Sequence, residues 1–150
     1  MPATYSKILL HIVFSTKNRT NLIKPGLRTR LYPYMGGIIR GEGGTLYEIG
    51  GILNHVHLLI RWRTDESVAA LLRDMKSQSS GWIHQTFPSY REFAWQEGYG
   101  VFSVSESQAH VVSRYITTQP DHHRTRTFED EFIHLLKAHK IEYDPRYLWD

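Results

Sequence analysis

The sequence predicts an α+β fold, with one antiparallel sheet of four strands, two helices crossing it and further helices at the C-terminal end. Three observations carry the prediction. Four runs rich in Ile, Leu, Val and aromatic residues have strand character, and two longer runs between them repeat their apolar residues at a helical spacing. Along the chain these follow the order β-α-β-β-α-β, with two more helical runs after the last strand. At 150 residues and 41% hydrophobic content, the chain is long enough to bury one core as a single domain spanning 1–150.

The first strand is expected over Tyr5–Ser15, around the apolar run Ile8–Phe14. That run has no basic leader and no small-residue cleavage site, so it reads as a strand rather than a signal peptide. Lys24–Ile39 places Leu27, Leu31, Met35, Ile38 and Ile39 on one helical face. Pro25 suits its first turn, Pro33 predicts a kink or an early break, and Gly41, Gly43 and Gly44 end it. Thr45–Ile52 and His55–Trp62 form a hairpin about Leu53-Asn54. Asp65–Phe87 is helical, with a polar interruption at Ser77–Gly81, and Pro88 closes it. Phe93–Val104 is the fourth strand, with Gly98 and Gly100 marking a bulge or a close approach. Ser105 and Gln108 have the spacing of a capping box for a helix that Pro120 stops after Gln119. Thr127–His139 is a last amphipathic helix, and the aromatic tail Ile141–Asp150 is expected to pack on the body or on a partner. The order defines a ferredoxin-like (RRM-like) sandwich, in which the first and third strands are central.

Composition limits the chemistry. The chain has no Cys, which excludes disulfides and thiolate catalysis and suits a cytoplasmic protein. No stretch is apolar for long enough to span a bilayer. Charge is uneven: 13 Lys/Arg stand against 8 Asp/Glu up to Gln119, and 5 against 7 from Pro120 onward. The basic part clusters Lys17, Arg19, Lys24, Arg28 and Arg30 ahead of Tyr32 and Tyr34. Cations beside aromatic faces suit a polyanion whose bases can stack, although charge alone favours a solvated helix face. Lys76, within a polar patch of the second helix, and Arg124 are further candidates for a nucleic-acid backbone.

Two small motifs carry the candidate chemistry. His55 and His57 stand two apart at the head of the third strand, so they point to one face while Val56, Leu58 and Ile60 point to the other. Two imidazoles so placed can share a metal ion or simply make ordinary hydrogen bonds at the sheet end. With nine His in the chain, the spacing alone decides nothing. Tyr115 and Gln119 stand one helical turn apart after the fourth strand. A tyrosine there is either a nucleophile that needs activation or a surface phenol beside a solvated amide. His11 on the first strand reads as a core histidine or a neighbour of the histidine pair. His122 and His123 read as a solvated turn or as phosphate contacts. Trp62, Trp82 and Trp95 read first as core. Glu97 is given no role.

Taken together, the motifs resemble a known family. His55-Val56-His57-Leu58-Leu59-Ile60 resembles the His-hydrophobe-His signature of the HUH endonucleases. The stretch Trp95–Ser105, then Tyr115-Ile116-Thr117-Thr118-Gln119 and His122-His123-Arg124, resemble the single-tyrosine transposases of small insertion sequences that move as single-stranded DNA. The resemblance runs from Ile8 to Trp149; one departure is Asn54, where relatives often carry an acidic residue. It implies a ferredoxin-like fold and a homodimer, often with tyrosine helices acting in trans. It also implies hairpin-bearing single-stranded DNA as substrate and a divalent metal, Mg²⁺ or Mn²⁺. On that resemblance His55, His57 and Gln119 are metal ligands, and Tyr115 is the nucleophile that forms a 5′-phosphotyrosine. A related HUH nickase and a non-mobile, domesticated DNA-binding relative are the alternatives. An RNA-recognition sheet is disfavoured, because its third strand would carry an aromatic Lys/Arg-Gly-Phe motif rather than histidines and aliphatics.

Overall fold

The computed structural model describes residues 3–149; Met1 and Pro2 of the expected domain and Asp150 of the expected tail lie outside the described residues. Four strands, β1 (Ile8–Ser15), β2 (Thr45–Ile52), β3 (His55–Trp62) and β4 (Gly100–Val104), form one sheet in the order β2-β3-β1-β4. Every pairing is antiparallel, and β1 and β3 are central. Five helices accompany the sheet: α1 (Pro25–Gly41), α2 (Val68–Thr86), α3 (Ala109–Thr117), α4 (Gln119–His122) and α5 (Phe128–Ala138). This is the ferredoxin-like arrangement.

The two faces of the central strands have different company. Leu10, Ile12 and Phe14 of β1, with Val56, Leu58 and Ile60 of β3, enter the main core beneath α1 and α2. The alternate residues face the C-terminal helices. Leu9 and Leu59 pack with Ile116 of α3, while Val13 packs with Phe102 and the apolar stripe of α5. His11, His55 and His57 lie between these two small clusters, on a face that is otherwise apolar.

Several elements differ from expectation for identifiable reasons. α1 does not stop at Pro33; it runs to Gly41. Gly44 N–H then bonds the Ile39 carbonyl at 2.9 Å around Gly43, whose φ of 92° favours glycine. α2 is unbroken through Ser77–Gly81, because Ser79 is buried and accepts the Trp95 indole N–H at 2.9 Å. The fourth strand is only five residues long. Residues 96–98 turn their carbonyls to the Lys76 ammonium instead of a ladder, at 2.9, 3.0 and 2.7 Å for Gln96, Glu97 and Gly98. Ser105 and Gln108 make no capping box: Ser105 caps a short 3-10 turn without a side-chain bond, and α3 begins at Ala109. The helix expected to reach Gln119 ends at Thr117, and Pro120 opens the short α4. The tail packs on the body, with Tyr143, Leu148 and Trp149 against the α5 cluster.

Candidate active site

β3 aims His55 and His57 at the space between α3, α4 and α5, as its alternation predicts. α3 and α4 bring Tyr115 and Gln119 to the same space. Gly50, which pairs with His57 across β2 and β3, lets α3 come close: a Cβ there would collide with the Ile116 carbonyl oxygen. His55, His57 and Gln119 are 0% exposed, and the carboxylate at their centre, Glu131 of α5, is 1% exposed.

Glu131 was not foreseen. Among Glu129, Asp130 and Glu131, all three acidic residues read as partners for the positive end of a helix. The available signal is phase. Phe128, Glu131, Phe132, Leu135 and Leu136 form the buried stripe of α5, so one carboxylate stands where an apolar residue belongs. A carboxylate is buried at such a position only with partners. Here His57 Nε2, His123 Nε2 and His55 Nε2 lie 3.1, 3.1 and 3.3 Å from Glu131 Oε1. Gln119 Nε2 donates to Oε2 at 2.9 Å, and the Tyr115 hydroxyl donates to the same oxygen. Burial works against the Glu131 charge, but the bonds from His123, His55 and His57 outweigh it and hold the group well below the usual carboxylate range.

The imidazoles differ in their surroundings. His57 Nδ1 lies 2.8 Å from His11 Nε2, and burial pushes the two rings down to about 4 and about 3 respectively, so both are neutral at pH 7. His123 also loses by burial. Glu131 and the Arg126 carbonyl, 2.7 Å from its Nδ1, more than compensate and raise it. Asn54 Nδ2 donates to the Arg19 carbonyl at 3.4 Å, which orients the amide and turns its Oδ1 to His55 Nδ1 at 2.9 Å. His55 Nε2 in turn lies 2.8 Å from Gln119 Oε1 and 3.3 Å from Glu131 Oε1. Asn54 thus supplies the oxygen that an acidic residue would.

His55 Nε2, Gln119 Oε1 and Glu131 Oε1 converge, and His123 Nε2 lies 3.0 and 3.1 Å from the two oxygens, a donor set that can hold a cation. His55, His57 and Glu131 each offer one donor atom, all within 4.8 Å of one another. Donors sharing one ion at about 2.1 Å, at angles of about 90–110°, lie roughly 3.0–3.4 Å apart. The two imidazole–carboxylate separations, 3.1 and 3.3 Å, fall in that range, and two imidazoles with a carboxylate suit a divalent first-row ion or Mg²⁺. The residues present therefore fit a divalent cation. Tyr115 lies beside them, its ring 5.7 Å from that of His57, and burial first, then Glu131, raises its hydroxyl above the usual phenol range.

The other expected residues distribute unevenly. His11 and His123 belong to the cluster. His122 instead bonds Thr118 Oγ1 at 3.0 Å and packs on Tyr115. Arg19 and Arg124 line a polar groove of about 660 Å³ that reaches Asn54 and His123, and Lys17 is exposed nearby in sequence. Arg28 and Arg30 are on α1, across the sheet from the histidines, and Arg30 lies 4.9 Å from the Phe87 ring centre. Lys76 directs its ammonium to the 96–98 carbonyls. Trp62 and Trp95 are buried, and Trp82 stacks on Tyr34 at 4.4 Å.

A ferredoxin-like sheet whose central strand presents a buried His-x-His pair to a helix-borne tyrosine defines the HUH class. Residues 4–119 match the family described as "Transposase IS200 like". The chain belongs to that family of single-tyrosine transposases, whose general activity is DNA strand cleavage and transfer. No curated protein matches it. Solved structures share the fold. A protein from Deinococcus radiodurans R1 assigned as a transposase is 22% identical at a TM-score of 0.60, covering 79% of this chain and 95% of that one. A REP-associated tyrosine transposase bound to a REP hairpin is 15% identical at a TM-score of 0.62, covering 83% of this chain and 73% of that one. Glu131 lies beyond the segment matched by the family.

Proposed function

We propose that this chain cleaves and rejoins single-stranded DNA at hairpin-bearing ends, with Tyr115 as nucleophile and a divalent ion, Mg²⁺ or Mn²⁺, held by His55, His57 and Gln119 together with Glu131. One observation carries the reading: the Tyr115 hydroxyl donates to the same carboxylate whose other oxygen lies 3.1 Å from His57 Nε2 and 3.3 Å from His55 Nε2. When bound, the ion supplies positive charge that stabilises the charge developing on the attacked phosphate.

The chain's own groups do the rest. Tyr115 Oη attacks phosphorus in line, an Oη–P bond forms, and the bond from phosphorus to the 3′ oxygen breaks. Glu131 Oε2 accepts from the hydroxyl and orients it, and the phenolic proton leaves to solvent as the new bond forms. The departing 3′ oxygen takes up a proton and leaves as a 3′-hydroxyl. The 5′-phosphotyrosine keeps one phosphodiester in place of another, so attack by a second 3′-hydroxyl rejoins strands without ATP. His11 holds His57 through Nδ1 and Asn54 holds His55 through Nδ1, so both Nε2 atoms stay aimed inward.

Arg19, Arg124 and Lys17 would meet the backbone along the polar groove. The neighbour bound to a REP hairpin supports a hairpin substrate. Two cleavages need two tyrosines, so a homodimer performs the complete exchange. The test is a covalent band between the protein and 3′-labelled, hairpin-bearing single strands from the DNA flanking the gene, with Mg²⁺ or Mn²⁺. Tyr115→Phe will abolish the band and keep binding. A band that survives in Tyr115→Phe overturns the assignment.

A further inference from the structure

We infer that the groove between α3 and α5 is a nucleobase pocket, which receives the base adjoining the phosphate that Tyr115 attacks; this rests on the reaction proposed above. The groove has a volume of about 470 Å³, within the ~300–1,000 Å³ of small-ligand sites. Tyr115 and His11 line its inner end. These side chains also border the histidine–carboxylate cluster, so a nucleotide whose phosphate reaches the Tyr115 hydroxyl has its base at the groove.

The lining fits a flat, uncharged ring. Val111 and Val112 of α3, Leu135 and Ala138 of α5 and Phe102 line it, beside His134 and His139, whose ring stacks on Phe102 at 4.4 Å. Val111 is 50% exposed, a large apolar surface left open beside a reacting group. A phosphodiester would gain nothing from such walls, whereas stacking and apolar contact are how extruded bases are held. Ser103 and Gln108 at the rim offer hydrogen bonds to a base edge.

Charge complementarity points the phosphates toward the polar groove and the base toward the apolar one. Arg126 lines this groove and also the polar groove that carries Arg19 and Arg124. Among the described residues it has no carboxylate within salt-bridge distance, and its charge acts on the Tyr115 hydroxyl. The backbone thus has a polar, cationic path, and the apolar groove opens beside that path at the nucleophile. A base placed inward with its phosphates outward matches this division.

The experiment uses the full chain and hairpin-bearing single strands from the DNA flanking the gene. 2-Aminopurine is placed at one position at a time and read with the Tyr115→Phe protein. In parallel, strands with a single abasic residue are scanned for the rate of covalent adduct formation by the unaltered protein. Emission is expected to change at one position beside the cleaved bond, and an abasic residue at that position is expected to slow adduct formation about tenfold. Filling the groove with Ala138→Trp or, from the opposite wall, Val111→Trp will remove both effects. A flat scan, or a position-specific signal that survives both fillings, overturns the pocket. So does a change of oligomeric state in the filled variants with fluorescence unaltered, which makes the groove an interface between copies. A position-specific signal without any adduct leaves the pocket standing and defeats the Tyr115 reaction; an adduct with a flat scan does the reverse.

Discussion

Glu131 gathers five side chains. His123 Nδ1 lies 2.7 Å from the Arg126 carbonyl and its Nε2 3.1 Å from Glu131 Oε1, while His55 Nδ1 faces Asn54 Oδ1 at 2.9 Å. Without metal, the cluster is sensitive to acid. His57 and His11 lie below the ordinary 6.5, at about 4 and about 3, so the unfolded chain binds protons that the folded chain refuses. Their contribution is complete above pH 6.5 and is lost as pH falls toward 4. His123 is raised and works the other way, but it is one group against two. Urea unfolding in the presence of chelator should show the metal-free protein about 2 kcal/mol less stable at pH 5 than at pH 7. Equal midpoints at the two pH values would show that the rings are not neutral. His55, His57, Tyr115 and Gln119 were legible because strand and helix periods assign faces without further information. Glu131 was not, because in a run of three acids its burial depends on which helical phase meets the sheet.

Among the elements, β4 shows where local pattern fails. Phe93–Val104 has strand composition throughout, yet only Gly100–Val104 pairs in the ladder. What decides is Lys76, a residue some twenty positions earlier, whose ammonium satisfies three successive carbonyls. Burial lowers this lysine to about 8, against the pull of the Glu97 charge. Lys76→Met should destabilise the fold by about 2 kcal/mol, measured by denaturant midpoint, and expose residues 96–98 to hydrogen exchange. The salt dependence of DNA affinity should stay unchanged, since Lys76 lies outside the polar groove lined by Arg19 and Arg124. The strand order and both central strands were readable, because side-chain alternation and connection order leave few topologies open. The offset between α3 and α4 was not. Pro120 signals a break in that region, but the placement of α3 over β2 depends on Gly50 and its pairing with His57.

At the level of the whole molecule, a single chain brings the tyrosine, the glutamine and the histidines together. The resemblance implied tyrosine helices that often act in trans, and the close fit of α3 over Gly50 argues for assembly within one copy. Mixing Tyr115→Phe with His57→Ala tests this. Trans assembly would regenerate one intact site per mixed pair and restore adduct, whereas assembly in cis leaves every site defective. No adduct above the sum of the separate proteins is expected on a denaturing gel. The C-terminal tail contributes by packing Trp149 against Phe132 at 5.7 Å and beneath Arg19 at 4.8 Å. That contact ties α5 to the turn after β1.

The donor atoms around Glu131 have no solvent of their own. An ion seated there departs only when α5 or the tyrosine helix lifts away, so its escape is timed by the protein's breathing rather than by the scavenger outside. Stripping by EDTA should therefore follow a single rate that does not increase with EDTA concentration, and shortening the tail so that Trp149 no longer anchors α5 should quicken it.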